Sequence, residues 1–131
     1  MATNKNINTL LTKWVSQIID QEWLEKKLNS GKQLRIKFGI DPSGTILHIG
    51  HMVPILKLRE FQELGHHVII LIGDATAQVG DSSDKDAERP MLKREETRKN
   101  AEAFVSKLSF FLDISKIEIF YNSEWLDKVN F

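Results

Sequence analysis

Leu34-Arg35-Ile36-Lys37-Phe38-Gly39-Ile40-Asp41-Pro42-Ser43-Gly44-Thr45-Ile46-Leu47-His48-Ile49-Gly50-His51 is the stretch that decides how this chain folds. Leu34, Ile36, Phe38 and Ile40 alternate with their neighbours, the period of a strand with one apolar face. Pro42 has no N–H for a ladder and Gly44 admits unusual dihedrals, so the strand should stop at Asp41-Pro42-Ser43-Gly44. Residues 49–64 then read as a helix, with Ile49, Met52, Val53, Leu56 and Leu64 available to its buried side. Pro54 is best tolerated in a first turn, which puts the helix start close to Gly50. Gly65 suits the position just past the helix end. His67-Val68-Ile69-Ile70-Leu71-Ile72-Gly73 is a nearly continuous apolar run, as expected of a central parallel strand covered on both faces. Strand, loop, helix, glycine and buried strand make one βαβ unit, and its crossover should be right-handed.

The pattern extends in both directions. Upstream, residues 7–29 read as helical: Ile7, Leu10, Leu11, Trp14, Val15, Ile18 and Ile19 form one stripe. Asp20 is placed to cap a second short helix that contains Trp23, Leu24 and Leu28 and ends at Asn29-Ser30-Gly31. Downstream, residues 74–94 are polar and loop-like, and a helix is expected from Arg94 to Leu112. Ile117-Glu118-Ile119-Phe120-Tyr121 is a third strand, followed by a helix start at Asn122-Ser123-Glu124. The chain should therefore fold as α/β: a Rossmann-like, doubly wound parallel sheet, truncated, in residues 34–131, preceded by N-terminal helices in residues 1–33. Ligands of such sheets sit at the carboxyl ends of the strands. Here that edge is formed by the loops 41–51 and 74–90.

Composition narrows the function classes. With 18 basic and 18 acidic residues the formal net charge is zero, so any nucleic-acid contact must come from a local patch. There is no cysteine, which excludes disulfides and thiolate metal sites and fits a reducing compartment. No apolar run approaches the roughly 20 residues of a membrane span, and the N-terminus lacks a signal-peptide apolar stretch. A cytoplasmic protein with no membrane partner is expected.

His48 and His51, three apart at a helix start, lie on nearly the same face. The helix N-terminus adds free N–H groups and partial positive charge, and Gly50 lets a ribose or adenine approach the backbone. This is a triphosphate cradle in outline. The competing reading is that both histidines merely cap or pack, since a bare His-x-x-His matches often by chance. A zinc site is the weakest reading, for no third ligand and no intervening glutamate is evident.

The residue string itself resembles the first signature of class I aminoacyl-tRNA synthetases, and more specifically tyrosyl-tRNA synthetases. The likeness lies in Gly39-x-Asp41-Pro42-Ser43-x-x-x-Leu47-His48-Ile49-Gly50-His51. It continues through Leu58 to His66, Leu71-Ile72-Gly73-Asp74-Ala75-Thr76-Ala77-Gln78-Val79-Gly80-Asp81, Arg89-Pro90 and Tyr121-Asn122-Ser123-Glu124-Trp125-Leu126. That resemblance implies a reaction in which the tyrosine carboxylate attacks the α-phosphate of ATP. His48 and Ser43 would hold phosphate, and His51 and Gly50 would sit against ribose and adenine. Asp41 would lie where tyrosine and nucleotide meet, with Gly39 on the same substrate side. Thr76 and Asp81 would accept the tyrosine ammonium, for which a carboxylate is suited by charge. Lys85 and Arg89 would belong to the family's loop that closes on pyrophosphate; read without the resemblance they are a solvated charged loop. ATP is the implied co-substrate, accompanied by Mg2+, with no protein metal site. L-tyrosine, and tRNA(Tyr) in the full-length protein, are the implied partners; the family is homodimeric, with its dimer surface expected to be missing from this chain.

Two local features depart from the family pattern. Gly80-Asp81-Ser82-Ser83-Asp84 stands where relatives have Gly-Asp-Pro-Ser-Gly, and Lys37 stands where many have a tyrosine that reads the substrate hydroxyl. The chain also contains no Lys-Met-Ser-Lys-Ser loop, so it reads as the N-terminal half of such a catalytic domain, weakly active or inactive alone. Two other readings stay open: an unrelated His-x-Gly-His nucleotidyltransferase, and a non-catalytic binding or assembly fragment of the same fold.

Overall fold

The computed structural model describes residues 4–44, 46, 48–78 and 92–129. Three parallel strands run in the order β1 (Arg35–Ile40), β2 (His67–Ile72), β3 (Ile117–Tyr121). The register pairs Ile36 with Val68 and Ile40 with Ile72, then Val68 with Ile117 and Ile72 with Tyr121. Because partnered residues point the same way in a parallel sheet, Ile36, Phe38, Ile40, Val68, Ile70, Ile72, Ile117, Ile119 and Tyr121 share one face. On it lie the crossover helices α3 (Ile49–Glu63) and α4 (Arg94–Leu108). They contribute Ile55, Leu58, Ala101, Phe104 and Leu108 to a single core with Val68, Ile70 and Ile72. The other face carries Lys37, Gly39, Ile69, Leu71 and Phe120. Along the apolar run of β2, Val68, Ile70 and Ile72 are fully buried on the first face, while on the second Ile69 is buried and Leu71 half-buried.

The α3–β2 turn closes as the glycine at position 65 suggested. Gly65 has φ 87°, its N–H bonds to the Gln62 C=O, and the His66 N–H bonds to the Phe61 C=O. These two bonds satisfy terminal carbonyls of α3 in a Schellman arrangement. Pro54, by contrast, lies in the second turn of α3 rather than the first. It supplies no N–H to the Gly50 C=O four residues back.

The N-terminal helices differ from the single stripe read over residues 7–19. Helix α1 (Asn4–Thr12) stops early, and α2 (Gln21–Asn29) begins where Asp20 caps it. The break has both local and long-range causes. Trp14 and Asp20 both take left-handed backbone, and the Thr12 hydroxyl bonds back to the Asn8 C=O. Lys57 of α3 also donates to the Leu10 C=O at 2.8 Å, taking a carbonyl near the end of α1. Ile7, Leu10, Leu11 and Leu28 then form a second cluster against Leu34, Phe61 and Leu64. Helix α4 likewise ends at Leu108, four residues short of the periodicity. Both ends of the Gln62 amide bond to the Asp113 backbone, and Ser109 bonds back to the Ser106 C=O, which turns the chain towards β3.

Candidate active site

The three strands release the chain at Ile40, Ile72 and Tyr121, one beside the next. The ladder continues one step further on each side: the Gly73 N–H bonds to the Ile40 C=O at 2.8 Å, and the Asn122 N–H bonds to the Ile72 C=O at 2.9 Å. Residues 41, 73–76 and 122–123 are thereby brought to one edge. The Thr76 hydroxyl donates to Asp41 Oδ1 at 2.7 Å, with the Gly73 C=O a longer alternative at 3.2 Å. Asn122 bridges the same group, its Nδ2 donating to Thr76 Oγ1 at 2.9 Å and its Oδ1 accepting the Ala75 N–H at 2.9 Å. Asp41 is exposed, so its carboxylate is oriented from beneath while remaining open to a ligand.

Gly73 makes this packing possible. A β-carbon there would stand 1.7 Å from Asp41 Oδ1 and 2.4 Å from Thr76 Oγ1. Its φ is not in the left-handed region, so what the position needs is space, not glycine's conformational range.

The histidine pair sits at the start of α3, and its geometry shows the capping reading of it. His48 is the N-cap; its Nδ1 accepts the Gly50 N–H at 3.2 Å, and His51 Nδ1 accepts the His48 N–H at 3.4 Å. The rings stack with centroids 3.8 Å apart. A nitrogen that accepts carries no proton, so each neutral ring holds its proton on Nε2. Capping therefore fixes the tautomer and leaves two Nε2–H donors for a ligand. Desolvation, and then the neighbouring His48, push the His51 pKa below its ordinary value, which favours the neutral ring. A β-carbon at Gly50 would come within 3.0 Å of His48 Cε1, so glycine lets that ring lie over the helix start.

Helix α4 ties the two parts together. Asn100 donates to the Pro42 C=O at 3.1 Å, and one turn on, the Phe104 ring meets His51 edge-on at 6.3 Å. Of the residues singled out from sequence, Asp41 and Thr76 are in direct contact and His48, Gly50 and His51 form one unit. Ser43 is exposed beside Asp41, its N–H on the Asp41 C=O, and Gly39 is exposed on the less covered sheet face. Asp81, Lys85 and Arg89 lie outside the described residues. Sequence reasoning gave no role to Gly73, Asn122 or Asn100. Gly73 and Asn122 each directly follow a strand, which was the available signal; Asn100 carried none.

The family of tRNA synthetases class I (W and Y) matches residues 29–131. The chain is 47% identical over 98% of its length to a tyrosine–tRNA ligase of Oleidesulfovibrio alaskensis, covering 32% of that protein. It is 42% identical over its whole length to a tyrosine–tRNA ligase of Thermotoga maritima, again covering 32%. It thus spans about a third of the length of these curated relatives. Among solved structures, the tyrosyl-tRNA synthetase of Archaeoglobus fulgidus complexed with L-tyrosine superposes with a TM-score of 0.76 at 25% identity, over 95% of this chain and 36% of that one. The Plasmodium falciparum tryptophanyl-tRNA synthetase shares the fold, with a TM-score of 0.68 at 18% identity over 96% of this chain and 37% of that one. An α/β sheet edge built from these residues, and a family match over most of the sequence, place the chain among the class I tRNA synthetases of the tryptophan and tyrosine type.

Proposed function

We propose that this chain carries the part of a tyrosine–tRNA ligase that binds ATP and tyrosine, for the reaction that forms tyrosyl-adenylate and releases pyrophosphate before transfer to tRNA(Tyr). The observation that carries the proposal is the pairing of an oriented, open carboxylate at Asp41 with a helix start whose two imidazoles present Nε2–H donors. Tyrosine is preferred to tryptophan because the curated relatives of 41–47% identity are named tyrosine–tRNA ligases.

In this reading His48 and Ser43 donate to the phosphates, and the amino end of α3 adds its partial positive charge. His51 and Gly50 line the ribose and adenine. Thr76, with Asp81, meets the tyrosine ammonium, and Asp41 stands between the two substrates. The tyrosine carboxylate attacks the α-phosphorus in line, the bond to the bridging oxygen breaks, and pyrophosphate leaves. No side chain is covalently modified, so catalysis consists of positioning and of stabilising developing charge. Lys85 and Arg89 are proposed to meet the leaving pyrophosphate.

Among the described residues no group of three or more His, Asp or Glu side chains converges to hold a metal ion. They do not form a cage for Mg2+, and no step is assigned to it. The cytoplasm is the proposed compartment, and the homodimer is proposed for the full-length protein, since this chain is read as missing the family's dimer surface. None of the described helices is long and apolar enough to cross a membrane.

The test separates binding from turnover. Calorimetry with ATP and with L-tyrosine measures binding to the chain, and tyrosine-dependent ATP–pyrophosphate exchange measures chemistry. Replacing His48 and His51 with alanine should weaken ATP binding and lower any exchange. Equal ATP affinity in both proteins would sink the roles given to the histidines. Binding of neither ATP nor a tyrosyl-adenylate analogue would favour a non-catalytic fragment.

A further inference from the structure

Asp74 is a fully buried carboxylate to which the reading above gives no task. Its Oδ1 accepts the Ser123 N–H at 3.0 Å and its Oδ2 accepts the Ser123 hydroxyl at 2.7 Å, and Ser123 is itself buried. The sheet ladder between β2 and β3 has run out by this point, its last bond being that from Asn122 N–H to the Ile72 C=O. Beyond it the two loops are joined by the Asn122 amide, on Ala75 and Thr76, and by a second contact that anchors the residue next to Asn122. Asp74 and Ser123 make that second contact, and the residues next to them, Ala75, Thr76 and Asn122, carry the bonds that reach Asp41.

We propose that Asp74 is a positioning residue: by clasping Ser123 it fixes Asn122, and Asn122 decides where the Thr76 hydroxyl proton points. A hydroxyl has one hydrogen. With Asn122 Nδ2 donating to Thr76 Oγ1, the oxygen is held where its one proton reaches Asp41 Oδ1 at 2.7 Å, the nearer and charged acceptor. When Asn122 drifts, the same proton can turn to the Gly73 C=O at 3.2 Å, and Asp41 loses the donor that orients it. The clasp is present in the structure whatever the substrate is; its effect on tyrosine rests on the function proposed above.

Amide hydrogen exchange tests the clasp directly. In Asp74→Ala the Ala75 N–H, which is held by Asn122, should exchange about tenfold faster or more, while the Ile70 amide in the β2 core keeps its rate relative to global unfolding. Asp74→Asn retains an oxygen for the Ser123 N–H and should recover most of the protection. A rise shared equally by Ala75 and Ile70, or an asparagine variant no better than alanine, would overturn the proposal, since either would mean a general structural role. Calorimetry adds the functional reading: Asp74→Ala should weaken L-tyrosine about tenfold and leave ATP within about twofold. Equal tyrosine affinity in a chain that binds tyrosine would also overturn it. If the unaltered chain takes up no tyrosine, the proposed function falls, and the exchange rates still decide for or against Asp74.

Discussion

Replacing Gly73 with alanine puts one methyl group into the centre of the site. The new β-carbon would lie 1.7 Å from Asp41 Oδ1, 2.9 Å from Asp41 Cγ and 2.4 Å from Thr76 Oγ1. The Asp41 carboxylate must retreat by at least about 1.3 Å to reach the shortest tolerated contact. A displacement of that size takes it out of hydrogen-bond range of Thr76, 2.7 Å away at present. A hydrogen bond to a charged group contributes about 1.5–3 kcal/mol, and overpacking costs about 1–3 kcal/mol. Asp41 is exposed and can swing into water, so the loss of folding stability should fall at the lower end, about 1–2 kcal/mol, in urea denaturation with an unchanged m-value. Ligand binding has no such escape, because the carboxylate leaves the place where it is needed. Tyrosine affinity, read by calorimetry, should fall by about tenfold or more. A double-mutant cycle isolates the cause: with Asp41→Ala the oxygen is gone, and the cost of Gly73→Ala should drop by at least about 0.5 kcal/mol. Additive costs together with unchanged tyrosine binding would refute the spatial account of Gly73.

Three further outcomes follow from the packing and the charges. The folded chain binds a proton at His51 more weakly than the unfolded chain does, so stability from this group is complete above about pH 6.5 and is lost as the pH falls through the lowered folded value. An NMR titration should place the His51 midpoint below 6.5, and His51→Gln should flatten the denaturation profile between pH 7.5 and 5.5, leaving the same-signed part from His66, whose pKa burial also lowers; a midpoint at or above 6.5 contradicts this. Asp20→Ala should cost about 1–3 kcal/mol, because it removes the side chain that accepts the Trp23 N–H and leaves a β-carbon residue at φ 56° without polar compensation; a change within 0.3 kcal/mol, roughly the error of such measurements, would show that α2 does not depend on its cap. Ile70→Ala, at a fully buried position in the middle of β2, should cost about 2–5 kcal/mol by the same denaturation assay, and a cost below about 1 kcal/mol would mean that the core is not continuous across the sheet.

Much of the architecture was legible because it is written in short-range patterns. Alternation in 34–40, the apolar run in 67–73 and the run 117–121 each fall within a residue or so of the observed strands. Gly65 and Asp20 marked helix boundaries through backbone preferences that act within a few residues. The failures have a common physical form. The stripe through Val15, Ile18 and Ile19 has helical spacing, yet Ile19 is 89% exposed and no helix spans residues 13–20. There a lysine from α3 takes a terminal carbonyl of α1, a contact 47 residues away in sequence. The overrun of α4 has the same origin, in Gln62 holding Asp113.

By itself the sequence determined the parallel α/β order, the strand-end loops that hold the site, and the residue string that marks the family. These follow from periodicity and turn chemistry, which are local. Only the tertiary structure decided that Thr76 faces Asp41, that Asn122 donates to Thr76, and that Gly73 must lack a side chain, because those relations join loops 32 to 46 residues apart. The histidine pair shows the division most clearly. Their spacing put both rings on one face, but that they cap the helix was undecided until the hydrogen bonds were known. Each ring caps through Nδ1, and because an imidazole has two nitrogens these capping bonds occupy only one of them.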